Sequence, residues 1–540
     1  MAAPFIWLFG TNGFLVLHAL LLSGDFLVAF LFLNARTSSR AAAVAGAAVF
    51  LVASIVPVYF VWLMPELFNF SLSLYALFFW SYKEVSADRL AAAGSRFLAL
   101  DQSDAVAGAL VGVLTFSKPT HALLLLPVVG LAIARRQWPR ARKAAIAFTV
   151  AAGVLFAANA AITGEFNYQG GDRKTFYHST GFPFANTWET FDNSGPVRGR
   201  EDIMVGDVLV NTHSANVFMH NIFYFVFGRY AGLLPYFFPG VLAAGLFLRS
   251  RPKRSWQWLV AGTVVCAVLM HVIIWPFTYN GGGGPVGNRY FLAFYPLFLF
   301  LTPAASGLGT AFAGLIGGAL FTASVVLNPF FASTHPGDHA TSGAFRLLPI
   351  DLTLLHDLPV AQHPDRMKLP LGGSPPVLAY FLDDNAYTPD PKENGWFWVK
   401  GKSTADIVLR APVVSAGPDR YVSKKIVRLN VEVLNAGIVN RISISTGRQS
   451  QRVDLHPGDR AALSLNVRDG VPFHRDPQPT SYLYVVSIAT TNGFVPFLDI
   501  PCEKPGACLS DDYRYLGAMI HLVPEYTDAE TTTRAQRPSD

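Results

Sequence analysis

The chain has 540 residues, of which 51% are hydrophobic and only 14% are charged, and its formal net charge at pH 7 is +6. This apolar excess is typical of a protein with several membrane-spanning helices. The basic residues occur in short segments between apolar runs, as the positive-inside rule requires, so the charge does not indicate nucleic-acid binding.

Apolar runs dominate the first 330 residues and predict the membrane-spanning helices. One of them, 105–134, is interrupted by Ser117-Lys118-Pro119-Thr120. Lysine and proline are costly inside lipid, so this run predicts a hairpin of two short helices with its turn near one membrane surface. At roughly 20 residues per crossing, we expect about ten spans. The runs are 12–33, 41–63, 66–82, 105–134, 144–162, 231–248, 257–276, 289–304 and 308–327.

Four basic segments predict the orientation, because lysine and arginine concentrate on the inner side of a membrane. With all four inside, the outer connections are Pro65-Glu66, the Lys118 turn, the loop 163–230 and the glycine-rich loop 278–288. The C-terminal part then also lies outside. The basic residues are Arg36 and Arg40; Lys83, Arg89 and Arg96; Arg135, Arg136, Arg140, Arg142 and Lys143; and Arg249, Arg251, Lys253 and Arg254.

This orientation starts the first span outside, although the first ten residues contain no signal peptide. Either the first helix inserts with a short exported N-terminus, or Met1 is not the true start. We favour the second alternative.

The outer loop 163–230 is too long for a simple connector. Asp172, Arg173 and Lys174 are candidates for contact with an acceptor, with a solvated charge cluster as the simpler alternative. Residues 216–230 are too apolar for an exposed helix, so we expect them to form a helix lying on the membrane surface.

The C-terminal part has a different pattern. Residues 330–394 predict an irregular linker with one short helix near 350–357, and residues 395–526 predict an antiparallel β-sandwich of short alternating strands with Gly/Pro turns. The last strand-like stretch is FVPFLDI at 494–500. From Thr527 the polar tail 527–540 is expected to be disordered. Cys502 and Cys508 are candidates for a disulfide in an oxidising compartment.

An anion site is predicted where the four-glycine run 281–284 leads to Arg289 and Tyr290. Glycines let backbone N–H groups approach a phosphate, and a guanidinium binds it in bidentate fashion. The alternative is an interfacial anchor, with Arg289 and Tyr290 reaching the lipid headgroups. Lys118 is a second candidate cation with the same alternative. Glu66 begins a helix, where the helix dipole alone favours a carboxylate.

Four stretches resemble the GT-C class of membrane glycosyltransferases, which includes protein mannosyltransferases and lipid A aminoarabinose transferases. Met64-Pro65-Glu66-Leu67 resembles the outer turn before a core span, and 108–133 resembles the split hairpin. Residues 220–248 resemble the interfacial helix with its following span, and 279–301 the glycine-rich loop with an arginine-headed helix. The stretches are loose patterns, and their order and spacing over most of residues 40–330 carry the resemblance.

The resemblance implies a polytopic domain, 1–329, in a bacterial inner membrane, with the β-sandwich in the periplasm. It implies transfer of a hexose or pentose from a polyprenyl-phosphate carrier to a glycan, lipid or protein acceptor. A carboxylate takes the acceptor proton and cations hold the departing phosphate. Phosphate contacts then fall to Arg289, Lys118 and Tyr290. A divalent metal is open in this class, but no His/Cys/Asp/Glu spacing indicates a metal site or another cofactor.

One feature departs from the family. In the GT-C family the key acidic residue lies in the first outer loop, after an N-terminal helix. The present sequence begins downstream of both. The role therefore cannot be carried over, and Glu66 is only a weak candidate. The alternative hypothesis is a non-catalytic scaffold that binds lipid-linked glycan in an envelope polysaccharide system. A transporter is less favoured, because no internal repeat is evident.

Overall fold

The computed structural model describes 2–37, 39–62, 64–93, 98, 102–164, 212–251, 253–358, 367–388, 395–417, 420–447, 449–468, 470–475, 478–499 and 510–533. Asp172, Arg173 and Lys174, most of the predicted outer loop, and both Cys502 and Cys508 lie outside these residues.

The described residues up to 358 form α-helices joined by turns and by short 3-10 helices. The α-helices are α1 (Ala3–Phe9), α2 (Gly13–Arg36), α3 (Arg40–Val52), α4 (Val56–Val61), α5 (Glu66–Ala93), α6 (Gln102–Ser117), α7 (Leu125–Ala134), α8 (Trp138–Thr163), α9 (Thr212–Phe227), α10 (Leu233–Tyr236), α11 (Phe238–Arg249), α12 (Ser255–Ile274), α13 (Pro296–Leu301), α14 (Leu308–Leu327) and α15 (Pro329–Thr334). The 3-10 helices are Gly10–Asn12, Pro119–Leu124, Leu292–Phe294, Asp338–Thr341, Gly343–Leu347 and Leu352–Asp357.

Four helical stretches in the described residues are long and apolar enough to cross a membrane: Ala3–Arg36, Trp138–Ile162, Ser255–Ile274 and Leu308–Leu327. The other predicted runs also contain helix, but several are divided into shorter helices separated by turns. Run 41–63, for example, becomes α3 and α4, with Pro57 at the start of α4.

The predicted hairpin within 105–134 is confirmed. Helix α6 ends at Ser117, and Lys118 has an extended backbone with φ −148° and ψ 118°. Pro119 then begins the 3-10 helix that leads to α7, because its fixed φ and missing N–H suit a first helical position.

Buried polar contacts fix α2 beside α5. The Ser71 hydroxyl donates to Oδ2 of Asp25 at 2.7 Å, and the Tyr75 hydroxyl donates to the carbonyl of Leu21 at 2.9 Å. Towards the other end, Phe32 of α2 and Trp80 of α5 both pack edge-on against Trp256, with ring centroids 6.4 and 6.3 Å away. The two helices therefore run in the same direction.

An ionic network around Lys83 and Glu84, in the C-terminal half of α5, joins three of the predicted inner segments. Lys83 Nζ lies 2.7 Å from Oδ1 of Asp104, which also pairs with Arg140. Glu84 accepts two hydrogen bonds from Arg135, at 2.8 and 3.0 Å. The Glu84 carbonyl accepts one from Arg254 Nη1 at 2.9 Å. These segments therefore meet at one end of the helical region.

The C-terminal part is a β region of two antiparallel sheets. In the described residues, one has the order β1-β2-β4-β11-β7-β8 with β10 on β11, and the other β3-β12-β6-β5 with β9 on β6. Apolar side chains from both sheets form one hydrophobic core. The strands are β1 (Lys368–Leu371), β2 (Val377–Phe381), β3 (Phe397–Lys400), β4 (Thr404–Arg410), β5 (Val413–Gly417), β6 (Arg420–Asn435), β7 (Asn440–Thr446), β8 (Gln449–Leu455), β9 (Arg460–Asn466), β10 (Val471–Arg475), β11 (Gln478–Thr490) and β12 (Leu516–Thr533).

The boundaries of the β region differ from the sequence prediction at both ends. The segment 330–394 contains the expected short helix at Leu352–Asp357, but also the short helices Pro329–Thr334, Asp338–Thr341 and Gly343–Leu347 and the strands β1 and β2. Strand β2 pairs with β4. At the other end, β12 continues to Thr533 because it pairs with β6 up to Arg420, so residues 527–533 are ordered by a strand partner.

One predicted strand is a helix. In its described part, 494–499, only Phe494 makes a β-bridge, and Pro496–Asp499 forms α16, a single turn. Proline lacks the N–H that a strand interior needs but is well suited to the first position of a helix.

Candidate functional site

Three charged residues that are distant in sequence meet at the other end of α5. Nζ of Lys118 lies 3.0 Å from Oε1 of Glu66, and Nε of Arg289 lies 3.6 Å from the same oxygen. The Lys118 ammonium and the Arg289 guanidinium lie 4.6 and 5.5 Å from the centre of the Tyr290 ring, both within cation–π range. Glu66 and the three phosphate-binding candidates, Lys118, Arg289 and Tyr290, are thus brought together, and we call these four residues the charge cluster.

Glu66 is the first residue of α5, where free backbone N–H groups and the helix dipole stabilise a negative charge. The residue is only 4% exposed. Its Oε1 faces the two cations, while Oε2 has no hydrogen-bond partner among the described residues. The carboxylate is therefore held on one side and keeps a buried oxygen for a further donor.

Lys118 reaches the cluster because the hairpin turn interrupts the helix at this residue. Its backbone N–H donates to the carbonyl of Leu114 at 2.9 Å, and the carbonyl of Lys118 accepts from His121 at 3.0 Å. With its backbone fixed at both ends, the side chain is directed at Glu66. The cost of burying the ammonium is offset by the carboxylate and by the Tyr290 ring.

Arg289 is held by the residues around it. Its Nη2 donates to the carbonyl of Gly281, and its Nη1 lies 3.4 Å from the sulfur of Met64. The backbone N–H of Arg289 donates to the carbonyl of Asn280 at 2.9 Å. A Cβ on Gly281 would lie 2.8 Å from Nε of Arg289, so the guanidinium needs a glycine at this position.

The glycine-rich loop has a different role from the one that the sequence suggests. Gly281, Gly282, Gly283 and Gly284 all have positive φ, between 66° and 110°, a backbone that glycine adopts most readily. The N–H groups of three of them already donate within the chain: Gly281 to Thr278, Gly282 to Asn280 and Gly284 to Asp357. The glycines therefore shape the loop around Arg289, rather than presenting a row of free N–H groups to a phosphate.

Two buried histidines lie near the charge cluster. His121 and His271 contact Phe294, with ring centroids 5.7 and 5.5 Å from it, and His271 also lies 6.4 Å from the Tyr290 ring. Each imidazole uses Nδ1 on a backbone carbonyl, that of Leu114 for His121 and that of Ala267 for His271. The histidines therefore pack as aromatic neighbours of the cluster and are anchored to their own segments.

A polar line on α5 continues from the cluster into the helical region, and sequence reasoning missed it. Asn69 and Ser73 follow Glu66 at spacings of three and seven, which places all three on one face of the helix. Both residues are buried, and the amide atoms of Asn69 and the hydroxyl of Ser73 have no hydrogen-bond partner among the described residues. The helical spacing of these polar residues in a largely apolar stretch could have predicted the polar line from the sequence.

The β region contacts the helical region at the same end as the charge cluster. The ring of Phe277, just before the glycine-rich loop, lies 5.9 Å from that of Phe473 in β10. The Gly284 N–H donates at 3.1 Å to the carbonyl of Asp357, in the last 3-10 helix before the β region. Arg229, just after α9, pairs with Asp406 of β4 at 2.8 Å. The glycine-rich loop is thus fixed between the helices and the β region.

A buried carboxyl group supports this joint. Oδ2 of Asp351 accepts from the backbone N–H of Tyr230 at 2.8 Å. Burial raises the pKa of the Asp351 carboxyl to about 7, although the hydrogen bond from Tyr230 lowers it. Gly228 is required beside it, because a Cβ there would lie 1.9 Å from Oδ1 of Asp351.

Two cations and one carboxylate leave the charge cluster with a formal charge of +1, which favours a singly charged anion such as a phosphodiester. Among the described residues, no group of three His, Cys, Asp or Glu side chains is arranged to hold a metal ion. Comparison with protein-family models, with curated proteins and with solved structures finds no match to this chain.

Proposed function

We propose that the charge cluster binds the phosphate of a polyprenyl-phosphate-linked sugar, and that the protein transfers this sugar to a glycan, lipid or protein acceptor. The observation that carries the proposal is the convergence of Lys118 and Arg289 on one oxygen of Glu66. The two cations come from the hairpin turn and from the glycine-rich loop, two of the stretches that resemble GT-C glycosyltransferases.

The dimensions of α5 support a membrane setting for this chemistry. Glu66 and Glu84 are 18 positions apart on the helix, which corresponds to about 27 Å. This is close to the ~30 Å hydrocarbon thickness of a bilayer. On this proposal the charge cluster lies at the outer surface, the Glu84 network at the inner surface, and the β region forms a periplasmic β-sandwich. About ten spans, several of them broken, then cross the inner membrane.

The proposed transfer needs one carboxylate and the two cations. The acceptor hydroxyl oxygen forms a bond to the anomeric carbon while the bond from that carbon to the phosphate oxygen breaks. The acceptor proton goes to a carboxylate, for which Oε2 of Glu66 is the buried oxygen available in the cluster. The polyprenyl phosphate leaves with the bonding electrons, and Lys118 and Arg289 stabilise its charge.

The first test is binding of polyprenyl phosphate to the purified protein in detergent. We expect Lys118→Met and Arg289→Gln each to weaken binding by about tenfold, because a charge-assisted hydrogen bond contributes roughly 1.5 kcal/mol or more. Lys143→Met is the matched control, since this exposed lysine lies on α8, away from the cluster. Equal affinity in all four proteins would remove the proposed phosphate site.

The second test is transfer from a labelled polyprenyl-phosphate sugar. Release of polyprenyl phosphate together with a labelled acceptor would support a glycosyltransferase. Binding without transfer would favour the alternative, a scaffold that holds lipid-linked glycan. One observation favours the scaffold. Glu66 already accepts a hydrogen bond from Lys118, and Arg289 already donates one to the Gly281 carbonyl. The same contacts could therefore serve only to clamp three segments together.

A further inference from the structure

A second feature lies at the opposite end of the helical region from the charge cluster. An apolar crevice runs between α3, α11, α13 and α14, and small side chains keep it open. Its walls include Ala42, Gly46, Ala243, Leu246 and Ala311. Nothing in the proposed transfer uses this crevice.

The polar end of the crevice is marked by Thr37, Thr302 and Ser306, which also line it. The carbonyl of Thr302 accepts from Nε of Arg36 at 2.7 Å, so this arginine lies directly at the crevice. The Ser306 hydroxyl is buried and has no hydrogen-bond partner among the described residues. A donor without a partner and a guanidinium therefore flank the same opening.

A second arginine lies beside the first. The Arg36 guanidinium lies 5.5 Å from the centre of the Trp256 ring, and Arg254 precedes Trp256 by two residues, so the two positive charges are close enough to repel each other. Arg254 donates to the carbonyl of Glu84 at 2.9 Å. Neither arginine forms an ion pair with a carboxylate of the described residues, so this part of the structure brings two positive charges together.

We propose that the crevice binds one acyl chain of an anionic phospholipid, whose phosphate lies between Arg36 and Arg254. An acyl chain matches the apolar walls, and the phosphate supplies the charge that the two arginines lack. The Ser306 hydroxyl donates to an oxygen of the headgroup. This site is about one membrane thickness from Glu66 along α5, so it is separate from the proposed transfer site and holds lipid of the opposite leaflet.

The test is retention of lipid by the purified full-length protein, measured by native mass spectrometry with phosphatidylglycerol or phosphatidylcholine as probe. We expect wild-type protein to retain phosphatidylglycerol preferentially. Arg36→Gln and Arg254→Gln should each reduce this retention about fivefold, the effect of removing one basic residue at an anionic lipid surface. Lys143→Gln, an exposed charge removal on α8, should retain lipid as wild type does.

Two further arms separate the parts of the site. Thr310→Phe places a large side chain in the crevice without changing charge, and it should reduce phosphatidylglycerol retention while both arginines remain. Millimolar inorganic phosphate should not displace the lipid, because it has no acyl chain. Equal retention of the two lipids by wild type, or wild-type retention by both arginine variants, would overturn the proposal. Full displacement by inorganic phosphate would do the same. Unfolding temperatures close to that of wild type show that each variant is folded.

Discussion

Nη1 of Arg229 lies 2.8 Å from Oδ2 of Asp406, and this ion pair joins the helical region to the β region. The other Asp406 oxygen lies 3.0 Å from Nη2 of Arg346, whose Nη1 lies 3.2 Å from Asp383. The Ser487 hydroxyl also donates to Asp406, at 2.6 Å. Two arginines and two aspartates thus form a compact network between the two parts of the molecule.

We expect Arg229→Met to destabilise the folded protein by about 3 kcal/mol, because it leaves a buried carboxylate short of a partner. Chemical unfolding in detergent measures the loss. The double variant Arg229→Met/Asp406→Asn should recover part of it, since the uncompensated charge is then removed. Arg441→Gln is the control, because the pair of Arg441 with Asp454 is exposed and should not contribute measurably. An equal loss of unfolding free energy for Arg229→Met and Arg441→Gln would contradict the stabilising role of the buried Arg229–Asp406 pair.

Asp351 should make stability depend on pH. Its folded pKa of about 7 exceeds the ordinary value of about 3.9, so the folded state holds a proton that the unfolded state has lost. Its contribution is therefore most favourable below about pH 4 and decreases, by on the order of 4 kcal/mol, as pH rises to 7. Asp351→Asn keeps an acceptor for Tyr230 and should abolish this decrease.

The measurement is the difference in unfolding free energy between Asp351→Asn and wild type at several pH values. The difference is needed because burial lowers the pKa of His339 to about 4, which gives the opposite slope between about pH 4 and 6.5. A difference that is independent of pH would show that Asp351 stays ionised in the folded protein.

Two glycine substitutions separate backbone strain from the position of Arg289. Gly283→Ala meets no atom within 4 Å, so it should cost only the strain of φ 70°, about 1–2 kcal/mol. Gly281→Ala adds a contact of 2.8 Å with Nε of Arg289. We expect it to weaken polyprenyl-phosphate binding about tenfold, while Gly283→Ala binds normally. Equal binding by the two variants would mean that the arginine position does not matter.

Glu66→Gln distinguishes a proton acceptor from a clamp. The substitution removes the negative charge that competes for Lys118 and Arg289, so polyprenyl phosphate should bind at least as tightly as it does to wild type. Sugar transfer should fall by about 10²–10⁴-fold, the usual contribution of general-base catalysis. Transfer at the wild-type rate by the folded variant would exclude Glu66 as the base.

Much of the fold follows from local patterns. Every predicted apolar run of the first 330 residues contains helix, and the lysine and proline at 118–119 interrupt the run 105–134 where expected. The alternation of apolar and polar residues predicted most strands of the β region. Phe397, between Trp396 and Trp398, is fully buried in the core of that region. The sequence did not predict strands β1 and β2, because both are short. Strand β1 also contains Pro370 and is stabilised mainly by its sheet partner.

The candidate site could be predicted only as separate parts. Counting basic residues placed Glu66, Lys118 and Arg289 at the same end of the helical region. Their contacts depend on how α5, the hairpin and the glycine-rich loop pack, and no local pattern encodes that packing. The internal hydrogen bonds of the glycine N–H groups, and the polar line through Asn69, likewise appear only when the tertiary structure is known.

The pairing of β2 with β4 has a practical consequence for work on the β region alone. A soluble fragment that begins at Gly395 would lose β1 and β2 and expose the backbone edge of β4. An exposed strand edge pairs with other chains and promotes aggregation. Beginning at Lys368 keeps that edge covered. Such a fragment would still present Asp383 and Asp406 without their partners Arg229 and Arg346, which leaves two carboxylates unpaired on its new surface.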